Sequence, residues 1–261
     1  MSAGGVPAFL SRGEGETALV LLHGIGGGKS FWAPQLDALL RADARIVAWD
    51  MPGYGDSATV APYTMGALAR ALGRLLDELA AERVVLVGHS MGGMVALEAM
   101  ALFPERIAGL VLSATSPAFG KANGAWQQAF LRQRLEPLDQ GRSMADIAPA
   151  LVRGMVAPQA DSAAVQRAVE VMSAVPAATY RAALHALVSF DRRALLPSIA
   201  VPTLALAGEA DSVAPPAVLE KMAGKIPGAR YHCVPRAGHL LSLEQPEAFN
   251  QAVLRFVRTA L

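Results

Sequence analysis

Apolar positions along the chain fall into two alternating rhythms. Short, predominantly apolar runs at Ala18–Leu22, Arg45–Trp49, Val84–Val87, Gly109–Leu112, Thr203–Ala207 and Arg230–Val234 read as buried strands. Between them, apolar residues recur at helical spacing. Trp32, Leu36, Leu39 and Leu40 mark a helix that Ser30 is placed to cap, and Leu68, Leu72, Leu75, Leu76 and Leu79 mark one after Thr64. Met94–Phe103 and Pro215–Ile226 continue the pattern, and Phe249, Val253, Phe256 and Val257 face inward on a last helix starting near Pro246. Strands apolar throughout, separated by helices, predict an α/β chain with a mostly parallel sheet covered on both faces. There is room for only one strand before Ala18.

Residues 117–192 break this rhythm. They hold helix-like stretches punctuated by Pro137, Pro149, Pro158 and Pro176, and no convincing strand. The alternation resumes afterwards, so the expected organisation is a core of residues 1–116 and 193–261 with 117–192 inserted as a helical cap. An insertion after Gly109–Leu112 is expected over the carboxyl ends of the strands.

Composition narrows the function classes. With 261 residues the chain can bury one large core, and 53% hydrophobic against 17% charged residues describes a globule. A net charge of +1 without long basic runs argues against a nucleic-acid partner. Cys233 is the sole cysteine, which rules out an internal disulfide and a cysteine-rich metal site. The opening Met-Ser-Ala-Gly-Gly-Val-Pro has no basic leader, and no run is long enough to span a bilayer. The expectation is a cytoplasmic protein without a membrane partner, as monomer or homodimer.

The chemistry concentrates at Gly88-His89-Ser90-Met91-Gly92-Gly93, between the Val84–Val87 strand and a helix. Strand, Gly-x-Ser-x-Gly and helix in that order set a serine hydroxyl at the tip of a sharp turn, with the amides of the helix start nearby. Such a hydroxyl needs a base, and the base needs an orienting acid. Of the five histidines, His89 adjoins Ser90, His23 leads a glycine loop, His185 lies in the insertion and His232 in a strand. His239, in the loop after the last strand, is left as the base. Gly208-Glu209-Ala210-Asp211 emerges at the same sheet edge; both acids qualify by type, and the shorter Asp211 has more room to turn. Acyl transfer also needs oxyanion donors. The amide of Met91 is one, and the loop His23–Gly28 supplies the second, with Ile25 favoured over Gly24 or Gly26. That loop lacks the spacing of either common phosphate-binding glycine motif.

His23-Gly24, Asp50-Met51-Pro52-Gly53-Tyr54-Gly55-Asp56-Ser57, Gly88–Gly93, Gly208-x-x-Asp211 and Gly238-His239 together resemble the α/β-hydrolase superfamily over essentially the whole chain. The resemblance implies an α/β-hydrolase fold with Ser90, Asp211 and His239 as catalytic triad, no metal and no organic cofactor, and an architectural role for the Asp50–Ser57 loop. Gly238–Glu247 is similar to the 3-oxoadipate enol-lactonase group. The expected activity is hydrolysis of a small carboxylic ester or (enol-)lactone. A carbon–carbon bond hydrolase of the meta-cleavage type, a low-turnover ligand receptor, and a cofactor-free lyase or perhydrolase are the alternatives. The insertion supplies Phe119, Trp126, Phe130, Met144, Met155, Met172, Tyr180 and Phe190, which suggests an apolar or aromatic substrate. Arg132, Arg134, Arg153 and Arg181 leave open a carboxylate on it. Expected substrate contacts are Gly24, Trp126, Phe190 and Leu240.

Overall fold

The computed structural model describes residues 5–120 and 124–260. The opening Met1–Gly4, read above as part of a segment without a basic leader, and residues 121–123 of the insertion lie outside them. Seven strands form one sheet: β1 (Phe9–Arg12), β2 (Thr17–Leu22), β3 (Arg45–Trp49), β4 (Arg83–His89), β5 (Gly109–Ser113), β6 (Thr203–Gly208) and β7 (Arg230–Val234). Their order is β1-β3-β2-β4-β5-β6-β7, with β1 antiparallel to β3 and every other pairing parallel. β1 is the one strand for which the sequence left room ahead of Ala18.

The central strands are buried on both faces, which is why β2, β4 and β5 carry almost unbroken apolar runs rather than an alternation. Helix α1 (Ala33–Leu36) is a single turn, and α2 (Met65–Leu79) is amphipathic and capped by Thr64, whose Oγ1 accepts from the Ala67 amide at 3.2 Å. Helix α3 (Met91–Leu102) begins directly after Ser90, and Met91–Met100 are all buried. The helix expected from Ser30 onward is instead a 3-10 turn, then α1, then a second 3-10 turn, and Ser30 is exposed and caps nothing. Gly28 precedes that turn in a fully extended conformation, and Pro34 restarts the chain after Trp32.

Between β5 and β6 come α4 (Ala125–Asp139), α5 (Met144–Arg153), α6 (Ser162–Ser173) and α7 (Ala177–Val188). Pro137 and Pro149 lie inside α4 and α5 rather than ending them. Each removes one donor, but a capping box at Ser143–Asp146 and buried Ile147, Ala148 and Val152 hold α5 in place. The segment leaves and rejoins the core through a narrow neck. Ala118 bridges Asp191, the Arg192 amide donates to Pro117 at 2.7 Å, and the Arg192 guanidinium meets buried Glu98 of α3 at 2.7 Å. After β6 the chain forms α8 (Pro216–Ala223), and after β7 come α9 (Leu241–Glu244) and α10 (Pro246–Ala260), the latter burying Phe249, Val253, Phe256 and Val257 as expected.

From β2 the chain passes first to β3 on one side and then to β4 on the other, so strand order reverses between β2 and β4. In open parallel sheets such a switch point opens a crevice at the carboxyl ends of the strands. The loops bearing Gly24–Ile25 and Ser90 leave the sheet there.

Candidate active site

Ser90 closes β4 with φ 52° and ψ −119°, a backbone conformation that a residue with a side chain rarely adopts. The turn is held on both sides. The Ser90 amide donates to Ser113 at 2.9 Å, and the Ser90 carbonyl accepts from Thr115 Oγ1 at 2.7 Å and from Gly93 at 2.9 Å. The glycines are there because of crowding: a Cβ on Gly88 would stand 2.6 Å from the backbone of Gly92 and Gly93, and one on Gly92 would run into the Leu22 carbonyl.

Three side chains from distant parts of the sequence meet above this turn. His239 Nε2 lies 3.0 Å from Ser90 Oγ, and His239 Nδ1 lies 2.9 Å from Asp211 Oδ2. Asp211, after β6, is buried, and its other oxygen accepts the amides of Val213 and Ala214 at 2.8 and 2.9 Å. A carboxylate can only accept, so Nδ1 carries the imidazole proton and Nε2 presents a lone pair to the serine hydroxyl. This chain can take a proton from the hydroxyl as the oxygen attacks a carbonyl. Glu209, the other acid that qualified by type, turns away and accepts the Arg236 amide at 2.9 Å.

Two backbone amides are aimed by bonds to the carbonyls of their own peptide units. The Gly24 carbonyl accepts His23 Nδ1–H at 2.8 Å and the Gly27 amide at 3.0 Å. In a trans peptide the N–H points opposite to the carbonyl, so the Ile25 amide faces away from His23. The same reasoning turns the Met91 amide away from Thr115. A Cβ on Gly24 would stand 3.1 Å from Ser90 Cβ, which shows how closely this loop approaches the hydroxyl. His23 Nε2 accepts the Met51 amide at 3.0 Å, and burial pulls the His23 pKa from 6.5 to about 4. Lys29 joins the same framework, its amide and Nζ meeting Asp50 at 2.7 and 2.5 Å and its Nζ reaching Asp56 at 2.6 Å. The Asp50–Ser57 loop thus braces the glycine loop. His89 is buried with its ring stacked on Phe31, and burial drives its pKa well below the usual histidine value.

A cavity of about 410 Å³ opens above Ser90 and His239, within the usual range for small-molecule sites. Its walls are largely apolar and come mostly from the inserted segment, with Phe119, Trp126, Phe130, Met155, Met172 and Tyr180 among them. A side chamber of about 30 Å³ is lined by Gly24 and Leu240. Trp126 stands at 60% exposure. Phe190 does not line either space: it is buried at the neck, where its carbonyl accepts the Phe119 amide at 3.0 Å, and Met144 is likewise buried away from both.

One residue escaped the sequence reading. Buried Glu244 in α9 accepts the amides of Gly238 and Leu240, on either side of His239, each at 3.0 Å, and the Ala157 amide of the inserted segment at 2.7 Å. Burial raises its pKa; the three amides oppose that shift and nearby Asp211 adds to it. The only signal was an acid five residues after the histidine.

A seven-stranded, nearly all-parallel sheet with this serine turn at its switch point defines an α/β-hydrolase. The chain belongs to that family: the family profile described as alpha/beta hydrolase fold matches residues 17–246. It is 34% identical over 250 residues to a Variovorax paradoxus protein proposed to be a carbamate hydrolase, covering 94% of this chain and 92% of that one. A malate-bound thermophilic esterase from Thermogutta terrifontis superposes with a TM-score of 0.88 at 28% identity, covering 97% of this chain and 93% of the other. The enol-lactonase of Burkholderia xenovorans LB400 superposes at 0.84, with 28% identity and 96% of both chains covered. The protein is a hydrolase of this family. Among the described residues, no helix is long and apolar enough to cross a membrane.

Proposed function

We propose that the protein cleaves a small carboxylic ester or lactone through an acyl-enzyme on Ser90. Ser90 Oγ attacks the carbonyl carbon as His239 Nε2 takes the hydroxyl proton, and Asp211 stabilises the imidazolium. The Met91 and Ile25 amides receive the oxyanion. Collapse of the tetrahedral adduct breaks the carbonyl–alkoxy bond, and His239 returns its proton to the leaving alcohol. Water, activated by the same imidazole, then releases the acid and frees Ser90. Residues 117–192 act as a cap that walls the substrate space and limits water.

The observation that carries this reading is the continuous chain from hydroxyl to imidazole to carboxylate, at 3.0 and 2.9 Å. Related proteins named as esterase and enol-lactonase support the bond type, and the apolar cavity supports an apolar or aromatic acyl group. The malate-bound form of the related esterase supports a carboxylate on the ligand.

The test is a panel of p-nitrophenyl esters, methyl esters, lactones and enol-lactones, assayed on the parent and on Ser90→Ala. The variant should lose roughly 10⁴-fold or more in kcat, and the parent should show a serine-linked acyl adduct by mass spectrometry under single-turnover conditions. Turnover of Ser90→Ala near the parent rate would remove Ser90 from the chemistry.

A further inference from the structure

Helix α4 presents Trp126, Phe130, Gln133 and Arg134 along one stripe, at spacings of four, seven and eight, and all four line the cavity. Arg134 is half-buried on this stripe, and a cation in the wall of a largely apolar cavity calls for an explanation. The other arginines of the segment are accounted for. Arg181 pairs with Asp139 at 2.5 Å, Arg192 pairs with Glu98, Arg132 lines a separate groove beside α4, and Arg142, Arg153 and Arg167 are exposed. Arg134 has no carboxylate within ion-pair distance among the described residues.

Its guanidinium is nevertheless held. It lies 3.6 Å over the Phe130 ring, and Tyr180 of α7 lines the same cavity. Burial pulls its pKa below the usual arginine value, with only the tyrosine opposing the shift. A half-buried cation without a counter-ion carries a desolvation cost that a bound anion would relieve. The cation–π contact engages the face of the guanidinium and leaves its five in-plane donors free for a planar, bidentate acceptor.

We propose that Arg134 is the anion-binding residue of the cavity, and that the preferred substrates are half-esters or lactones carrying a carboxylate at the end remote from the scissile carbonyl. This rests on the ester and lactone reading above. The carboxylate sits against the guanidinium while the chain between crosses the apolar lining to Ser90. Stacking on Phe130 sets the plane of the fork.

The experiment compares monomethyl esters of succinate, glutarate and adipate with neutral methyl esters of matched length, on the parent, Arg134→Gln and Arg134→Lys. The readout is the ratio of kcat/KM for the half-ester to that for its neutral match, which cancels any general loss in a variant. Charge-assisted hydrogen bonds of this kind correspond to about tenfold to about a hundredfold in affinity. The parent ratio is expected above unity for at least one chain length. Arg134→Gln should lower it by about tenfold or more, chiefly through KM, and Arg134→Lys should fall between because it keeps the charge but not the fork. A ratio below unity in the parent at every length, or one unchanged in Arg134→Gln, overturns the proposal.

Calorimetric binding of the same half-esters to Ser90→Ala, with and without Arg134→Gln, separates the two readings. Binding that depends on Arg134 while Ser90→Ala still turns over sinks the serine mechanism alone. Turnover that requires Ser90 with no dependence on Arg134 sinks the anion site alone.

Discussion

The main-chain N–H of His239 donates to the carbonyl of Met155 at 2.7 Å, so the imidazole is anchored to the inserted segment on its backbone side and to Asp211 on its ring side. Glu244 completes the grip by holding the amides before and after His239 together with that of Ala157. Truncating it leaves those amides buried without an acceptor, at about 1–3 kcal/mol each. Glu244→Gln is the milder test, because its one carbonyl oxygen can keep two of the three. It should cost about 1–3 kcal/mol by urea denaturation. It should also lower kcat more than it raises KM, since the base is displaced rather than the cavity. A stability loss with kcat intact would show that Glu244 serves the fold and not His239.

Asp211→Asn preserves shape and reverses one hydrogen bond. The amides of Val213 and Ala214 select the asparagine oxygen, which turns its NH₂ towards His239 Nδ1. The imidazole proton is then driven to Nε2, facing Ser90, where a base can no longer accept. By analogy with other serine triads kcat should fall by roughly 10⁴-fold with little change in stability. Loss of less than about tenfold, measured on the best ester of the panel, would show that the tautomer is set elsewhere.

The meeting of Ser90, Asp211 and His239 was legible because parallel strands all end at one edge, so a serine, an acid and a histidine placed just after β4, β6 and β7 are brought to the same rim. Glu244 was not legible. In Leu241-Ser242-Leu243-Glu244 it looks like an ordinary acid at the end of a short helix, and only the loop folding back over it makes it an acceptor. Arg134 shared its type with six other arginines of the insertion, and which of them reaches the cavity depends on how α4 and α7 pack. Ser30 and the prolines misled for one reason: local propensity is weak against tertiary packing, which shortened one predicted helix and carried two others through a proline.

Two glycines separate folding from turnover. A Cβ at Gly92 meets the Leu22 carbonyl, which belongs to the β2 ladder and cannot move without disturbing the sheet. Gly92→Ala should therefore destabilise the protein by about 1–3 kcal/mol or more in denaturant titration. At Gly24 the Cβ meets side-chain atoms of His89 and Ser90 at 3.1 Å, a contact a small shift of the glycine loop relieves. That shift moves the Ile25 amide. Gly24→Ala should keep most of its stability and lose kcat, and the opposite ranking of the two variants would contradict the oxyanion role given to this loop.

His23 gives the fold a pH dependence of definite sign. Its Nδ1 proton goes to the Gly24 carbonyl and its Nε2 lone pair to the Met51 amide, so a second proton would face a donor. The folded pKa is about 4 against 6.5 for a free histidine. Below pH 6.5 the unfolded chain takes up a proton that the folded chain refuses, so stability falls as pH drops towards 4 and the slope ends once both forms are protonated. At full depression the shift is worth about 3 kcal/mol. His89, also depressed by burial, acts in the same direction, while Glu244, whose pKa is raised, acts in the opposite one. The net expectation is a decline in unfolding free energy across this window, steeper than surface histidines alone would give. His23→Leu should start less stable at neutral pH, because Gly24 and Met51 lose their partner, and should show a flatter decline. An equal slope in both proteins, by urea titration at a series of pH values, would mean that His23 takes up its proton in the folded state without resistance.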